Sequence, residues 1–202
     1  MIEVDRSAPI WTITINRPDK AGALTEQMLV DLRDAARDAR QAAAVILTGT
    51  GKVFSAGADL DAARAGLATS PLWEELSGAI ADLPGLTIAA LNGTVAGGAT
   101  GMVLACDLRI SVPSAKFFYP VMKLGYLPQP SDPVRMAALI GPARTKMIFL
   151  GGQKLSAAMA YDFGLVDELV ENGSVFDRAQ HLCTDIAAAK SETARAIKAM
   201  CR

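Results

Sequence analysis

Two short segments, AAVILTG (43–49) and LTIAALNG (86–93), constrain the fold most. Each is an almost unbroken apolar run closed by glycine, the pattern of a strand buried on both faces. Such strands need helices above and below, and the sequence supplies them. In TEQMLVDLRDAARDAR (25–40), Met28, Leu29, Leu32, Ala35, Ala36 and Ala39 fall on one side of a 3.6-residue period, and Thr25 is placed to cap the helix. Ser70-Pro71 opens a second helix over PLWEELSGAIADL, which Pro84-Gly85 closes. With a β-branched strand over 8–18 that stops at proline and another over 107–113, the order predicts an α/β layered domain. TGKVFSAGADL reads as loop, residues 115–120 as extended, and helices are expected over 130–140, 143–150, 156–163, 174–189 and 191–201.

Composition narrows the function. The 202 residues suffice for one domain with a sizeable core, and no linker or repeat divides them. Twenty basic residues against 21 acidic ones leave a net charge of −1, so no general attraction to nucleic acid or anionic membrane is expected. A small-molecule partner fits better. Apolar runs fall short of a membrane span and MIEVDRSAP lacks the shape of a signal peptide, which makes the cytoplasm the expected location. Cys106, Cys183 and Cys201 are odd in number and have no C-x-x-C spacing, which argues against disulfides and zinc.

Two small-residue turns stand out, FSAGADL (54–60) and TVAGGATG (94–101). Each follows a buried strand and opens a helix, so the two can face each other at the carboxyl ends of neighbouring strands, where α/β ligands bind. Glycine and alanine there either permit close packing or bring N–H donors up to a ligand oxygen. Other chemistries fit poorly. TGTGKVFSAG has neither the phosphate-loop nor the dinucleotide spacing, and the single histidine, His181, lies late in a helix beginning near Ser174, where a hydrolytic triad has little to build on.

In combination, TITINRPDKAGALT, VILTGTGKVFSAGADL, IAALNGTVAGGATGMVLACDLRIS, AKFFYPVMKLGYLP and GGQKLSAAMAYDFGLVDELV resemble the enoyl-CoA hydratase/isomerase family, the crotonase superfamily, over most of the chain. The resemblance implies a β-β-α spiral core with layered sheets, one crotonase-like domain over 1–202: core to about 170, then a shortened C-terminal helical part over about 171–202. It also implies an acyl-CoA thioester whose carbonyl is held by two backbone N–H groups, which fall on Ala58 and Gly98. The CoA moiety would lie along Lys20, Ala21, Gly22 and Ala23 and along Ala56, Gly57, Asp59 and Leu60, with Gly22 where the family usually has asparagine. Coenzyme A is then part of the ligand, and no separate cofactor or metal is expected. A homo-trimer or hexamer is implied as well, covering apolar faces such as Ile186, Ala187, Ala194 and Ile197.

The departures fall on the proton chemistry. The family's two water-holding glutamates match Gly101 and Val121, and the aspartate of a dienoyl isomerase branch matches Gln129. Asp132, Tyr119, Lys123 and Tyr126 remain as polar candidates, with Asp59, Glu74 and Glu75 as further carboxylates that could reach the pocket. Two functions stay open: an enzyme of enolate type that dispenses with the glutamates, or a non-catalytic acyl-CoA carrier or sensor. Ordinary hydration is expected to be slow, and glutamate at both 101 and 121 is expected to recover it.

Overall fold

The computed structural model describes residues 1–7 and 9–201; Ala8, expected at the start of the first strand, and Arg202, the last residue of the expected domain, lie outside the described residues. The chain opens with an antiparallel pair, β1 (Ile2–Asp5) and β2 (Ile10–Ile15), followed by α1 (Glu26–Asp38). Three turns of a spiral come next, each a strand of one sheet, a short strand of a second sheet and a helical segment. They are β3 (Ala44–Gly49), β4 (Val53–Ser55), α2 (Leu60–Arg64) and α3 (Leu72–Ala81); β5 (Leu86–Leu91), β6 (Thr94–Ala96) and α4 (Ala99–Leu104); β7 (Leu108–Ser111), β8 (Lys116–Phe118) and α5 (Val121–Leu124). The chain continues through α6 (Asp132–Phe149), β9 (Leu155–Ser156), α7 (Ala157–Phe163), β10 (Glu168–Leu169), α8 (Val175–Leu182), α9 (Thr184–Ala188) and α10 (Ser191–Met200). The first sheet runs β1-β2-β3-β5-β7-β10 and the second β4-β6-β8-β9. This is the mixed α/β spiral that the sequence predicts.

The long-period signals appear where expected. β3 and β5 run parallel in register from Ala44 against Leu86, and Ile46, Leu47, Ile88, Ala89, Ala90 and Leu91 are buried between helical layers. Met28, Leu29, Leu32, Ala35 and Ala36 form the buried face of α1, and the Thr25 side chain accepts from the Met28 N–H at 3.3 Å. Full burial of a leucine such as Leu29 stabilises by roughly 1.5–3 kcal/mol. Ser70 Oγ accepts from the Leu72 N–H at the start of α3. The two helices expected over 130–150 are the halves of α6, bent at Gly141 (φ 78°) ahead of Pro142.

Short elements differ from the sequence reading. TGKVFSAGADL is not all loop, because Val53–Ser55 pairs with Thr94–Ala96 as β4 with β6; three residues give a period-2 pattern no room to show. β1 carries no sequence signal of its own, its pairing to β2 being an edge contact of half-buried Ile2 and Val4. The helix expected over 174–189 divides at Cys183, which is fully buried and turns tightly with its N–H on Gln180 O. Asn92 ties two turns of the spiral together: its Oδ1 accepts from Gly49 N–H, its Nδ2 donates to Gly51 O, and at Gly93 a Cβ would stand 2.1 Å from Lys52 O. No helix among the described residues is long and apolar enough to cross a membrane.

Candidate active site

Because β4 pairs parallel with β6, the segments leaving their carboxyl ends run side by side. Gly57 has a φ of 90°, and a Cβ there would stand 2.8 Å from Ala96 O, so the approach of the two turns requires glycine. Gly97 (φ 56°) donates its N–H to Phe118 O. Gly98 lies flat against the Trp73 ring, where a Cβ would meet carbon at 2.9 Å. On the other turn, Leu24 N–H donates to Gly57 O and Asp59 N–H to Leu24 O, each at 2.8 Å. Two donors are left over. The N–H groups of Ala58 and Gly98 have no acceptor among the described residues, and both border one cleft of about 280 Å³. Leu60, Trp73, Phe118, Val121 and Leu124 give that cleft a largely apolar lining. Such a lining suits an apolar group, and free N–H groups suit an oxygen acceptor.

Tyr119 also borders the cleft, and behind it is Asp132, the first residue of α6. Tyr119 Oη donates to Asp132 Oδ2 at 3.0 Å, and the tyrosine ring packs tilted on Phe149 with centroids 5.1 Å apart. Asp132 is 0% exposed, and its Oδ1 meets no donor among the described residues. Burial pushes its carboxyl up to about 7, with the Glu74 charge adding to the rise while the Tyr119 hydrogen bond and Arg135 oppose it. Burial, then the neighbouring Asp132, raises the Tyr119 phenol far above its usual range. Glu74 holds this corner in place by accepting from both the N–H and the hydroxyl of Ser131.

Gly101 faces that same carboxylate. A Cβ at 101 would stand 2.8 Å from Asp132 Oδ1 and 3.1 Å from Oδ2, so the space a glutamate would need is taken. Glutamate at 101 therefore requires the Asp132 side chain to move, a cost that the restoration of both glutamates carries with it. Val121 is buried at the cleft wall and presents only an isopropyl group.

The other candidates divide. Ala56, Ala58 and Leu60 line the cleft, as does Gln129, whereas Lys20, Ala21, Gly22 and Ala23 do not. Their loop is nevertheless stitched to the Ala58 turn: Ser55 Oγ donates to Gly22 O, Ala56 N–H to Ala21 O, and Arg17 to both Ala23 O and Asp59. At Gly22 a Cβ would lie 2.5 Å from Phe54 O, which excludes any larger residue without movement. Asp59 is not aimed into the cleft; it caps α2 and pairs with Arg17 at 2.9 Å, which holds its carboxyl below the usual range. Glu75 pairs with Arg33, Lys123 is exposed, and Tyr126 is a partly exposed cleft residue. His181 is exposed on α8. No cluster of metal-binding side chains occurs among the described residues. Glu74, a candidate carboxylate, does not line the cleft and anchors Ser131 instead, while the wall formed by Trp73 has no sequence signal of its own, since an inward tryptophan on an amphipathic helix signals only packing.

A profile of the enoyl-CoA hydratase/isomerase family matches residues 5–202. The chain belongs to this family. A probable enoyl-CoA hydratase of Mycobacterium tuberculosis is 33% identical over 204 residues, covering 98% of this chain and 79% of that protein. The 1,2-epoxyphenylacetyl-CoA isomerase of Escherichia coli is 29% identical, over 88% of this chain and 72% of its own. Among solved structures, the enoyl-CoA hydratase of Bacillus anthracis superposes with a TM-score of 0.89 at 31% identity, covering 96% of this chain and 79% of that one. DspI of Pseudomonas aeruginosa gives 0.89 at 31%, over 98% and 84%. The spiral described above is thus the crotonase fold.

Proposed function

We propose that this family member binds an acyl-CoA thioester with its carbonyl oxygen between the N–H groups of Ala58 and Gly98 and stabilises the enolate formed there. The observation that carries this reading is the pair of donors, unpartnered among the described residues, that border one largely apolar cleft. Preorganised N–H groups favour an oxygen most strongly when it carries developing charge, which is the condition for lowering a barrier. The acyl chain lies against Trp73, Phe118 and Val121, and the CoA moiety runs along the joined segments Lys20–Ala23 and Ala56–Leu60. A homo-trimer or hexamer completes the assembly, and light scattering that finds a monomer at micromolar concentration counts against that part.

Calorimetric titration with butyryl-CoA and octanoyl-CoA, with free CoA as control, tests the binding. Acyl-CoA is expected to bind, and Gly98→Pro to abolish binding, since proline removes one donor and drives its ring towards Trp73. Ala58→Pro removes the other donor and is expected to weaken binding likewise. Failure of the parent protein to bind either ligand ends the reading. An acyl-CoA carrier would use the same donors; the buried Tyr119–Asp132 pair at the cleft is the feature that favours an enzyme.

A further inference from the structure

The cleft can hold an oxygen, but Gly101 and Val121 offer nothing that moves a proton. Asp132 brings a carboxylate to the same place from a different helix. It lies so close in front of Gly101 that a Cβ at 101 would force the carboxylate to shift from where it stands. An acid that only complemented the dipole of α6 would gain as much in water and avoid the cost of burial. Asp132 is instead wholly buried, with Oδ1 unpartnered among the described residues and Oδ2 on the phenol of a tyrosine that borders the cleft.

Resting on the thioester placement proposed above, we infer that Tyr119 and Asp132 form a two-member proton relay serving the α-carbon of the bound acyl group. As the Cα–H bond breaks, its electron pair moves into the enolate, whose oxygen lies at Ala58 and Gly98. The released proton forms a new O–H bond on Tyr119 Oη while the original phenolic proton passes to Asp132 Oδ2. The reverse step returns a proton to carbon, and no oxidant or reductant takes part. Tyr119 faces substrate; Asp132 is the positioning and proton-storing residue behind it. The concerted transfer avoids a free phenolate, which burial and the Asp132 charge both disfavour. Tyr119 beside α5, Glu74 on α3 and Arg135 on α6 are the ionisable groups facing Asp132, and together with burial they leave its carboxyl at about 7, where either form serves at neutral pH. A store of one proton suits moving hydrogen between carbons better than adding water, which must itself be deprotonated.

The test is replacement of the α-hydrogens of butyryl-CoA by deuterium in D₂O, followed by proton NMR alongside calorimetric affinity. The parent is expected to exchange them, at a rate that rises with pH and levels off above about 7 as the Asp132 carboxylate forms. Asp132→Asn keeps the shape, and is expected to slow exchange by about 10²-fold or more and flatten the pH profile with affinity little changed. Tyr119→Phe, which leaves Asp132 in place, is expected to do the same and decides the matter if Asp132→Asn fails to fold. Exchange at the parental rate in either folded variant, or a parent that binds butyryl-CoA without exchanging it, overturns the relay while the binding proposal stands. A parent that does not bind removes both.

Discussion

One part of the cleft wall carries main-chain N–H groups without an acceptor among the described residues, at Ala58 and Gly98; another carries a side chain, Tyr119, with Asp132 bonded behind it. The two sides obey different rules. A main-chain donor is fixed by the path of the backbone and asks only that nearby residues be small, so its place in the sequence is tied to the fold. A side-chain acid can be supplied by any element that reaches the same volume. Here α6 reaches the space in front of Gly101 on α4, so the carboxylate there belongs to a residue 31 positions further along the chain.

The largest expected effect tests that substitution of one helix for another. Gly101→Glu adds a carboxylate against Asp132, combining overpacking with like charge in a buried site, and is expected to cost about 3–5 kcal/mol in urea unfolding. Asp132→Ala in the same chain should recover most of the loss; a well-folded single variant would show that α4 and α6 do not compete for this space.

A second effect is in the pH dependence of stability. The Asp132 carboxyl has a free value of 3.8 and a folded value of about 7, so between these pH values the folded protein holds a proton that the unfolded chain has released. Its contribution is fully present below about 3.8, falls as pH rises, and is gone above about 7. At about 1.4 kcal/mol per unit the decline amounts to a few kcal/mol. Asp132→Asn should remove it, and thermal unfolding at pH 5 and pH 8 measures the difference. The backbone side of the cleft, which has nothing to titrate, should show no such slope.

The smallest effect concerns the wall on which that backbone side rests. Trp73 donates its Nε1–H to Leu67 O at 2.8 Å, and Trp73→Phe should cost about 1–2 kcal/mol, from the bond and from the smaller ring facing Gly98. Chemical denaturation checks the value.

What the sequence makes visible follows the same division. α1, β3 and β5 show themselves because they are long enough for a period or a run to register, and Thr25 and Ser70 because capping is local chemistry. β4 and β6, three residues each, are set by pairing with each other and leave no local mark. The glycine turns are visible because positive φ and close approach exclude other residues. Asp132 is visible only as a nearby acid: nothing local tells that its carboxylate lies against Gly101, because that distance is created by tertiary packing. Trp73 over Gly98 is hidden for the same reason.

The Ala58 turn carries one more consequence. The carbonyl before Ala58 and the N–H after it are both bonded to Leu24, and the Gly97 N–H beside the other donor is bonded to Phe118. Amides without an acceptor usually lie in loose chain and exchange with solvent because the segment moves. These two lie in chain that is tied down, so their exchange reports access of solvent to the cleft and not loosening of the backbone. Ala58 and Gly98 should therefore be two fast-exchanging amides set among slow ones, and an occupant whose oxygen lies between them should slow that pair while leaving the exchange of Leu24, Asp59 and Gly97 as it was.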